Sequence, residues 1–243
     1  MEIGVVIPTL DEAETVEAAL RSIVGSGPGG DVEHHEDAVG PIDVVIADGG
    51  SRDETCARAR KAGARVIELP RNRGAGRARQ LQVGFEACRG EVVLFLHADT
   101  RLPAEWARAV IGAMADPAVA GGAFGFRFDR DERPSLLLRA IEWGARVRTA
   151  RFRLPYGDQA LFVRRSVLER IGGVPQVAIM EDLDLVDRIK REGRLALLAV
   201  PATTSARRYR ARGVLRTFGR NVVALCAWRL DVDRERLARW YRS

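Results

Sequence analysis

The sequence predicts an α/β fold, a three-layer sandwich with a mostly parallel central sheet and C-terminal helices. Three observations carry that expectation. Short apolar runs rich in β-branched residues alternate with amphipathic stretches at helical spacing, the pattern of strands lying between layers of helix. The runs are apolar on successive residues rather than on every second one, as strands buried on both faces must be. Polar clusters then follow the first four runs, at the sheet edge where open α/β folds bind ligands.

Taken in order, Ile3 to Ile7, ended by Pro8, reads as the first strand. Asp11 is expected to cap the next helix, with Glu14 as its capping-box partner. Val16, Leu20, Ile23 and Val24 supply that helix's apolar face. Residues 25–41 crowd glycines, prolines, acids and His34-His35 together and read as a surface loop. The paired histidines there are expected to face water rather than a metal. Ile42 to Ala47 is the second strand, followed by a helix from Asp53 to Ala62. Ala64 to Leu69 is the third strand, and Gly74 to Cys88 a helix opened by a Gly/Arg turn. Glu91 to Leu96 is the fourth strand. Leu102-Pro103 starts a helix with Trp106, Ala109, Val110 and Ala113 on one face. In the second half, Val119–Phe128, Ala160–Val163 and Leu195–Val200 read as strands, and Leu136–Arg148 and Glu181–Glu192 as helices. Gly213 to Tyr241 reads as one or two amphipathic helices.

Composition narrows the function. The 243 residues suffice for one core that buries most of the unfolded surface. Lys and Arg number 39 against 33 acids, a net charge of +6, and only Lys61 and Lys190 are lysines. Arginine presents a fork of donors that matches phosphate. A basic balance suits nucleic acid, an anionic membrane or a phosphate-bearing substrate. The arginines are scattered, with no basic run, and no nucleic-acid partner is expected. Cys56, Cys88 and Cys226 are odd in number and form no C-x-x-C pair, which argues against a disulfide framework or a zinc site and for a reducing compartment. Met1 leads straight into a strand-like run rather than a signal peptide. No run reaches the ~18–20 apolar residues a spanning helix needs. The expected location is cytoplasmic, with peripheral contact at the inner face of the membrane left open.

The chemistry is expected at the strand ends. Asp99 stands at the mouth of Val92-Val93-Leu94-Phe95-Leu96, where a carboxylate is costly unless it is paired, hydrogen-bonded or metal-bound. It reads either as a metal ligand between carboxylate and phosphate or as the N-cap of the next helix. His97 reads as a second ligand or a gate. Arg71 to Arg79, with glycines opening a helix, suits an anion, and Arg77 and Arg79 are placed there to bond a diphosphate. Glu181, Asp182 and Asp184 open a helix, either to complement its dipole or to take a proton from a hydroxyl.

These clusters, in this order, resemble the family-2 glycosyltransferases of the Rossmann-like GT-A fold. Val6-Ile7-Pro8-Thr9-Leu10-Asp11-Glu12 looks like that family's opening strand and loop. Ala47-Asp48-Gly49-Gly50-Ser51-Arg52-Asp53 looks like its nucleotide-binding turn, with Gly49 where a second acid is usual. His97-Ala98-Asp99 resembles the D-x-D metal motif with histidine in first place. Glu181-Asp182 resembles the acidic pair that carries the catalytic base, and Arg188 sits where the family often has an arginine. Pro155 to Gln159 and Ser205 to Tyr209 are similar to small soluble members labelled arsenosugar-biosynthesis or radical-SAM-associated transferases.

The resemblance implies a metal-assisted, inverting hexosyl transfer from a nucleotide-diphosphate sugar, most commonly a UDP-sugar, to an acceptor hydroxyl, with Mg²⁺ or Mn²⁺ as cofactor. It implies Asp182 as general base, with Glu181 second. Asp99, with His97, would hold the metal. The nucleotide sugar would meet Pro8, Thr9, Glu12, Asp48, Gly50, His97 and Ala98, and Arg77 and Arg79 are added from their position. Gly157, Asp158 and Gln159 are expected at the acceptor or donor sugar, and Arg207, Arg208 and Tyr209 as a flexible basic lid. The domain is expected over 1–212, with a nucleotide half of about 1–100 and an acceptor half of about 101–212. Residues 213–243, carrying Leu215, Phe218, Val222, Val223, Leu225, Trp228, Leu237 and Trp240, are expected to pack on it, with a membrane face or homodimer seam as alternatives. Two further readings stand beside this one. A nucleotidyltransferase on a similar sheet would want a glycine-rich basic loop where the acidic Thr9 to Glu12 stands. An inactive nucleotide-binding module is the other.

Overall fold

The structure is a computed structural model that describes residues 1–25, 40–71, 76–129 and 135–243. The readings of His34-His35 and of the turn Asn72 to Ala75 lie outside the described residues. Eight strands form one sheet: β1 (Ile3–Thr9), β2 (Ile42–Asp48), β3 (Arg65–Glu68), β4 (Val92–Phe95), β5 (Thr100–Arg101), β6 (Val119–Phe128), β7 (Leu161–Arg164) and β8 (Arg194–Thr204). Their order is β3-β2-β1-β4-β7-β6-β8-β5. β1, β2, β3 and β4 run parallel; β7 and β5 run against their neighbours, and β6 and β8 are parallel to each other. The sheet is mixed and mostly parallel, as expected.

The β1 register explains the layers. Ile3, Val5 and Ile7 point to one side, where they join Leu20 and Ile23 of α1 (Val16–Val24) and Trp106 and Val110 of α4 (Trp106–Met114). Val6 points to the other, with Leu81 and Phe85 of α3 (Arg77–Ala87) and Leu183 and Val186 of α7 (Glu181–Glu192). A strand with no exposed residue on either side has no face left for polar side chains, which is why its sequence is apolar throughout.

The remaining helices are α2 (Thr55–Lys61), α5 (Leu136–Phe152), α6 (Arg165–Arg170), α8 (Arg207–Arg212), α9 (Val214–Arg229) and α10 (Arg234–Arg242). α9 and α10 return to the core. Leu225 and Trp228 pack on the α3–α7 side of the sheet, and Leu237 is buried. The Trp228 indole donates to Asp184 at 2.7 Å, and Arg234 pairs with the same carboxylate at 3.2 Å. Leu215, Phe218, Val222, Val223 and Trp240 remain exposed.

Asp11 does not cap α1. Its φ is +54°, its carboxylate accepts from the Arg52 N–H at 2.8 Å and from Arg71 at 2.9 Å, and the helix begins only at Val16. A long-range partner outbid the local one. Three short elements carried too little periodicity to be read beforehand: β5, α6 and α8.

Candidate functional site

Two neighbouring regions at the carboxyl ends of the strands hold the predicted polar residues, and they are built differently. The first is the turn after β2. Asp48 is fully buried and accepts four hydrogen bonds, from Thr9 Oγ1 at 2.8 Å, Gly50 N at 2.9 Å, Ser51 N at 2.7 Å and Ser51 Oγ at 2.5 Å. Burial alone would push its carboxyl up, but the bonds from Ser51, Thr9 and Gly50 outweigh that and hold it below the ordinary value. Asp53 is likewise lowered: burial is outweighed by donors from Thr55 and the Ala13 N–H. Gly50, with φ at +86°, supplies the left-handed step that points both amides at Asp48.

Gln80 of α3 ties this turn to the sheet, donating to Thr9 O at 2.6 Å and to Ala47 O at 3.0 Å. A Cβ on Gly49 would lie 2.9 Å from the Gln80 amide nitrogen. A side chain at the position where the resemblance suggests a second acid would require the Gln80 amide to shift. The signal for this residue was a polar side chain between Ala78 and Leu81 on the buried face of a helix. Glu12 stands at the rim, where its carboxylate meets Thr15 at 2.9 Å and Arg207 at 2.7 Å.

The second region is a cleft enclosing about 140 Å³, lined by side chains that include Arg77, His97, Asp99, Asp158, Asp182 and Arg208. These six side chains come from five elements or their ends: α3, the end of β4, the one-turn 3-10 segment Gly157–Gln159, the start of α7, and α8. Arg77 reaches across to Glu181 in a close ion pair, with Asp182 at 4.0 Å and His97 Nε2 at 3.5 Å. Burial works against the guanidinium's charge, and the two carboxylates more than restore it. His97 is held neutral, well below its usual value, by burial first and then by Arg77 and Arg208. A neutral imidazole keeps a lone pair for a ligand.

Asp99 and Asp158 are the under-compensated groups. Burial raises the Asp99 carboxyl, only partly offset by Arg208 and Arg207. Burial pushes Asp158 up to about 6, with Asp182 and Asp99 adding to it and Arg148 and Arg77 opposing. Asp158 Oδ1 is buried without a hydrogen-bond partner. Asp182 accepts from Gly157 N at 2.8 Å and Leu183 N at 3.0 Å, which fixes its carboxylate on the cleft wall. Gly157 fits between two catalytic candidates: a Cβ there would stand 2.8 Å from His97 Nε2 and 3.3 Å from Asp182 Oδ2.

Several predicted residues sit elsewhere or do other things. Gln159 is 1% exposed, and its amide is spent inside the protein, accepting from Arg148, Thr149 and Tyr156 N and donating to Phe124 O. It holds the 156–159 turn and does not line the cleft. Arg148, missed by the sequence, clamps that turn from α5, its guanidinium 3.4 Å over the Tyr156 ring. Arg79 is exposed, and Arg188 bonds Ile171 O; neither lines the cleft. Ala98 is buried in the core, and Pro8 lies within β1. The lid is not a loose segment. Arg207 to Tyr209 open α8, Arg207 is paired to Glu12 and Glu14, and Tyr209 stacks edge-on to Phe128 and accepts from Asn221 at 3.0 Å. Arg208 and Tyr209 both line the cleft.

Comparison with known proteins fits this geometry. The profile of glycosyl transferase family 2 matches residues 4–172. The chain belongs to that family. The match runs from β1 through the cleft loop at Gly157 to the end of α6 and stops short of α7. Over 107 residues this family-2 chain is 31% identical to an undecaprenyl-phosphate 4-deoxy-4-formamido-L-arabinose transferase of Pseudomonas fluorescens, covering 42% of this chain and 29% of that protein. The chain thus spans less than a third of that relative's length. Among solved structures, S. aureus TarS 1-349 in complex with UDP-GlcNAc superposes with a TM-score of 0.62 at 17% identity, covering 84% of this chain and 58% of that one. Glucosyl-3-phosphoglycerate synthase from Mycobacterium tuberculosis, in complex with Mn²⁺, UDP and glucosyl-3-phosphoglycerate, superposes with a TM-score of 0.53 at 21% identity, covering 84% and 70%. At these identities the structures establish the shared fold.

Proposed function

We propose that this family-2 chain transfers a sugar from a nucleoside-diphosphate donor to an acceptor hydroxyl with inversion, using the cleft between His97, Asp99 and Asp182. The observation that carries the reading is the convergence of two under-compensated carboxylates, a neutral imidazole and two guanidiniums in one cleft at the strand ends. Perturbed groups gathered in a cleft mark a site with work to do. The neighbours crystallised with UDP-GlcNAc, or with UDP and Mn²⁺, support a nucleotide-sugar donor and a divalent cation here as well.

Each residue then has a role. The acceptor oxygen attacks the anomeric carbon while the bond from that carbon to the diphosphate oxygen breaks. Asp182 takes the acceptor's proton, its carboxylate aimed by the Gly157 and Leu183 amides. Glu181 does not line the cleft and acts instead by holding Arg77. Arg77 and Arg208 meet the charge that develops on the leaving diphosphate. Asp99, with either His97 or the free oxygen of Asp158, would offer one or two donors to a divalent cation. These are oxygen and neutral nitrogen donors, and a cation would relieve both raised carboxyls. Among the described residues no group of three or more His, Cys, Asp or Glu side chains is placed to hold a metal ion. The protein would then hold the cation on one or two side chains, with the diphosphate and water completing its shell. Such a cation supplies charge neutralisation to the leaving group. Glu12, Asp48 and the turn after β2 are proposed to border the nucleoside. Asp48 would act by shaping that turn, since its oxygens are already bonded. Residues 213–243 are proposed to form the helical cap of one domain over 1–212.

The test is a panel of UDP- and GDP-sugars with and without Mn²⁺. Metal-dependent binding with slow donor hydrolysis is expected from at least one. Metal-independent binding with no turnover on any donor would support an inactive nucleotide-binding module instead.

A further inference from the structure

The C-terminal helices carry a surface that the transfer chemistry does not use. α9 carries Arg216, Arg220 and Arg229 and no acidic residue. α9 turns Thr217 and Ala224 inward and leaves Leu215, Phe218, Val222 and Val223 in water, Leu215 at 70% exposure and Phe218 at 44%. Those positions follow i, i+3, i+7 and i+8, a continuous stripe along one side of the helix. α5, packed beside α9, leaves Leu136, Leu137, Trp143 and Val147 exposed as well. Single exposed apolar residues are ordinary, but an unpartnered stripe on each of two adjacent helices is not.

Charge decides what covers it. A second copy of this chain docking about a two-fold axis would set the same surface against itself. α9 would then face its own copy with Arg216, Arg220 and Arg229 and no acid on either helix. An anionic bilayer satisfies both features, since apolar side chains enter the interface and arginines meet lipid phosphates. We propose that α9, with α5 beside it, docks this protein onto an anionic lipid surface. No described helix is long and apolar enough to cross a membrane, so the contact is peripheral.

The position of the stripe gives the docking a consequence. Thr217 and Asn221 of α9, and Tyr241 of α10, also line the cleft. The docked helix therefore borders the site, and an acceptor rising from the bilayer reaches it along α9. That favours an amphiphilic acceptor with its nucleophilic oxygen at the headgroup, a step that rests on the transfer reading above. The docking itself rests only on the surface.

Co-sedimentation with phosphatidylcholine vesicles, with and without phosphatidylglycerol, tests it on the whole chain. Binding is expected only with phosphatidylglycerol and should weaken as salt shortens the screening length. Phe218→Glu and Val222→Glu should each cut binding about tenfold or more, and Arg212→Glu or Arg216→Glu roughly fivefold. All four side chains are exposed and outside the cleft lining, so UDP binding in Mn²⁺ should stay at the wild-type level in each variant. If the wild type fails to bind UDP but still pellets with anionic vesicles, the transfer reading falls and the docking stands. Equal pelleting with both vesicles, or with neither, overturns the docking. So does a dimer in light scattering that Phe218→Glu dissolves.

Discussion

The turn after β2 and the cleft after β4 lie side by side at the same sheet edge, and both are acidic, yet their carboxyls move in opposite directions. Asp11, Asp48 and Asp53 are lowered. The Arg52 N–H and Arg71 act on the first, and donors from Ser51, Thr9, Gly50, Thr55 and Ala13 outweigh burial in the other two. Asp99 and Asp158 are raised, because burial is not matched by donors. A saturated carboxylate has spent its lone pairs on the fold. An unsaturated one costs stability until a ligand arrives, and that cost is what makes a site recognisable. The strand ends thus divide into a saturated scaffold and a candidate site.

The largest expected effect tests the site half. Asp182→Asn keeps one acceptor oxygen, enough for the Gly157 amide, and gives up only the bond that the other carboxylate oxygen accepts from Leu183 N at the start of α7, so the turn and donor binding should survive. The proton acceptor is gone, and transfer should fall by about 10²–10⁴-fold. Single-turnover transfer compared with UDP binding makes the measurement. Near-wild-type turnover would remove Asp182 as base and bring Glu181 back, despite its pairing with Arg77.

The scaffold half is tested by Asp48→Ala. Four donors lose a buried acceptor at once, and a cost of about 3 kcal/mol is expected, seen as a melting temperature roughly 10 °C lower. The pH dependence has a definite sign. A carboxyl held below its ordinary value of 3.8 stabilises the fold above that pH, and the contribution is lost as pH falls through the lowered value. The gap between wild type and variant should be full at pH 7 and shrink below about pH 4. A gap that widens on acidification would contradict the saturated picture.

The same division explains what could be read beforehand. Strand runs, the parallel half of the sheet and the α7 acids were legible because periodicity and strand ends are local features. Gln80 and Asn221 were not, since each works through partners along the chain that periodicity does not reach: Gln80 at Thr9 and Ala47, Asn221 at Tyr209 and Tyr241. Arg148 was not because its cation–ring contact with Tyr156 spans an irregular turn. Asp11 misled for the same reason. Its capping pattern was real in sequence, but Arg52 and Arg71 claimed the side chain. Asp48 and Asp99 look alike as letters at strand ends, and only the donors around them separate scaffold from ligand site.

Asp99→Ala probes the cleft where a cation is proposed. Mn²⁺-dependent binding of UDP should weaken about 10–100-fold, while the melting temperature should not fall, because an under-compensated buried carboxylate is removed. Titration calorimetry with UDP, with and without Mn²⁺, reads the first, and a thermal melt the second. Unchanged metal dependence would move the cation away from Asp99.

The smallest effect sharpens the contrast most, because it reverses the sign seen at Asp48. Asp158 is raised to about 6 by burial, with Asp182 and Asp99 adding to it. Its native state binds the proton more tightly than the unfolded chain, so stability falls as pH climbs from 3.8 to about 6 and the penalty is complete above that. Asp158→Asn is nearly isosteric with the protonated form and removes the penalty. Because the side chain is partly exposed, only about 1 kcal/mol is expected, or a melting temperature some 2–4 °C higher at pH 8. Near pH 4 the two proteins should melt together, because Asp158 is then protonated in the wild type as well. An equal difference at both pH values would mean that the gain came from packing. Asp158 would then belong with the scaffold carboxylates, and the division between the two regions would run through the cleft itself.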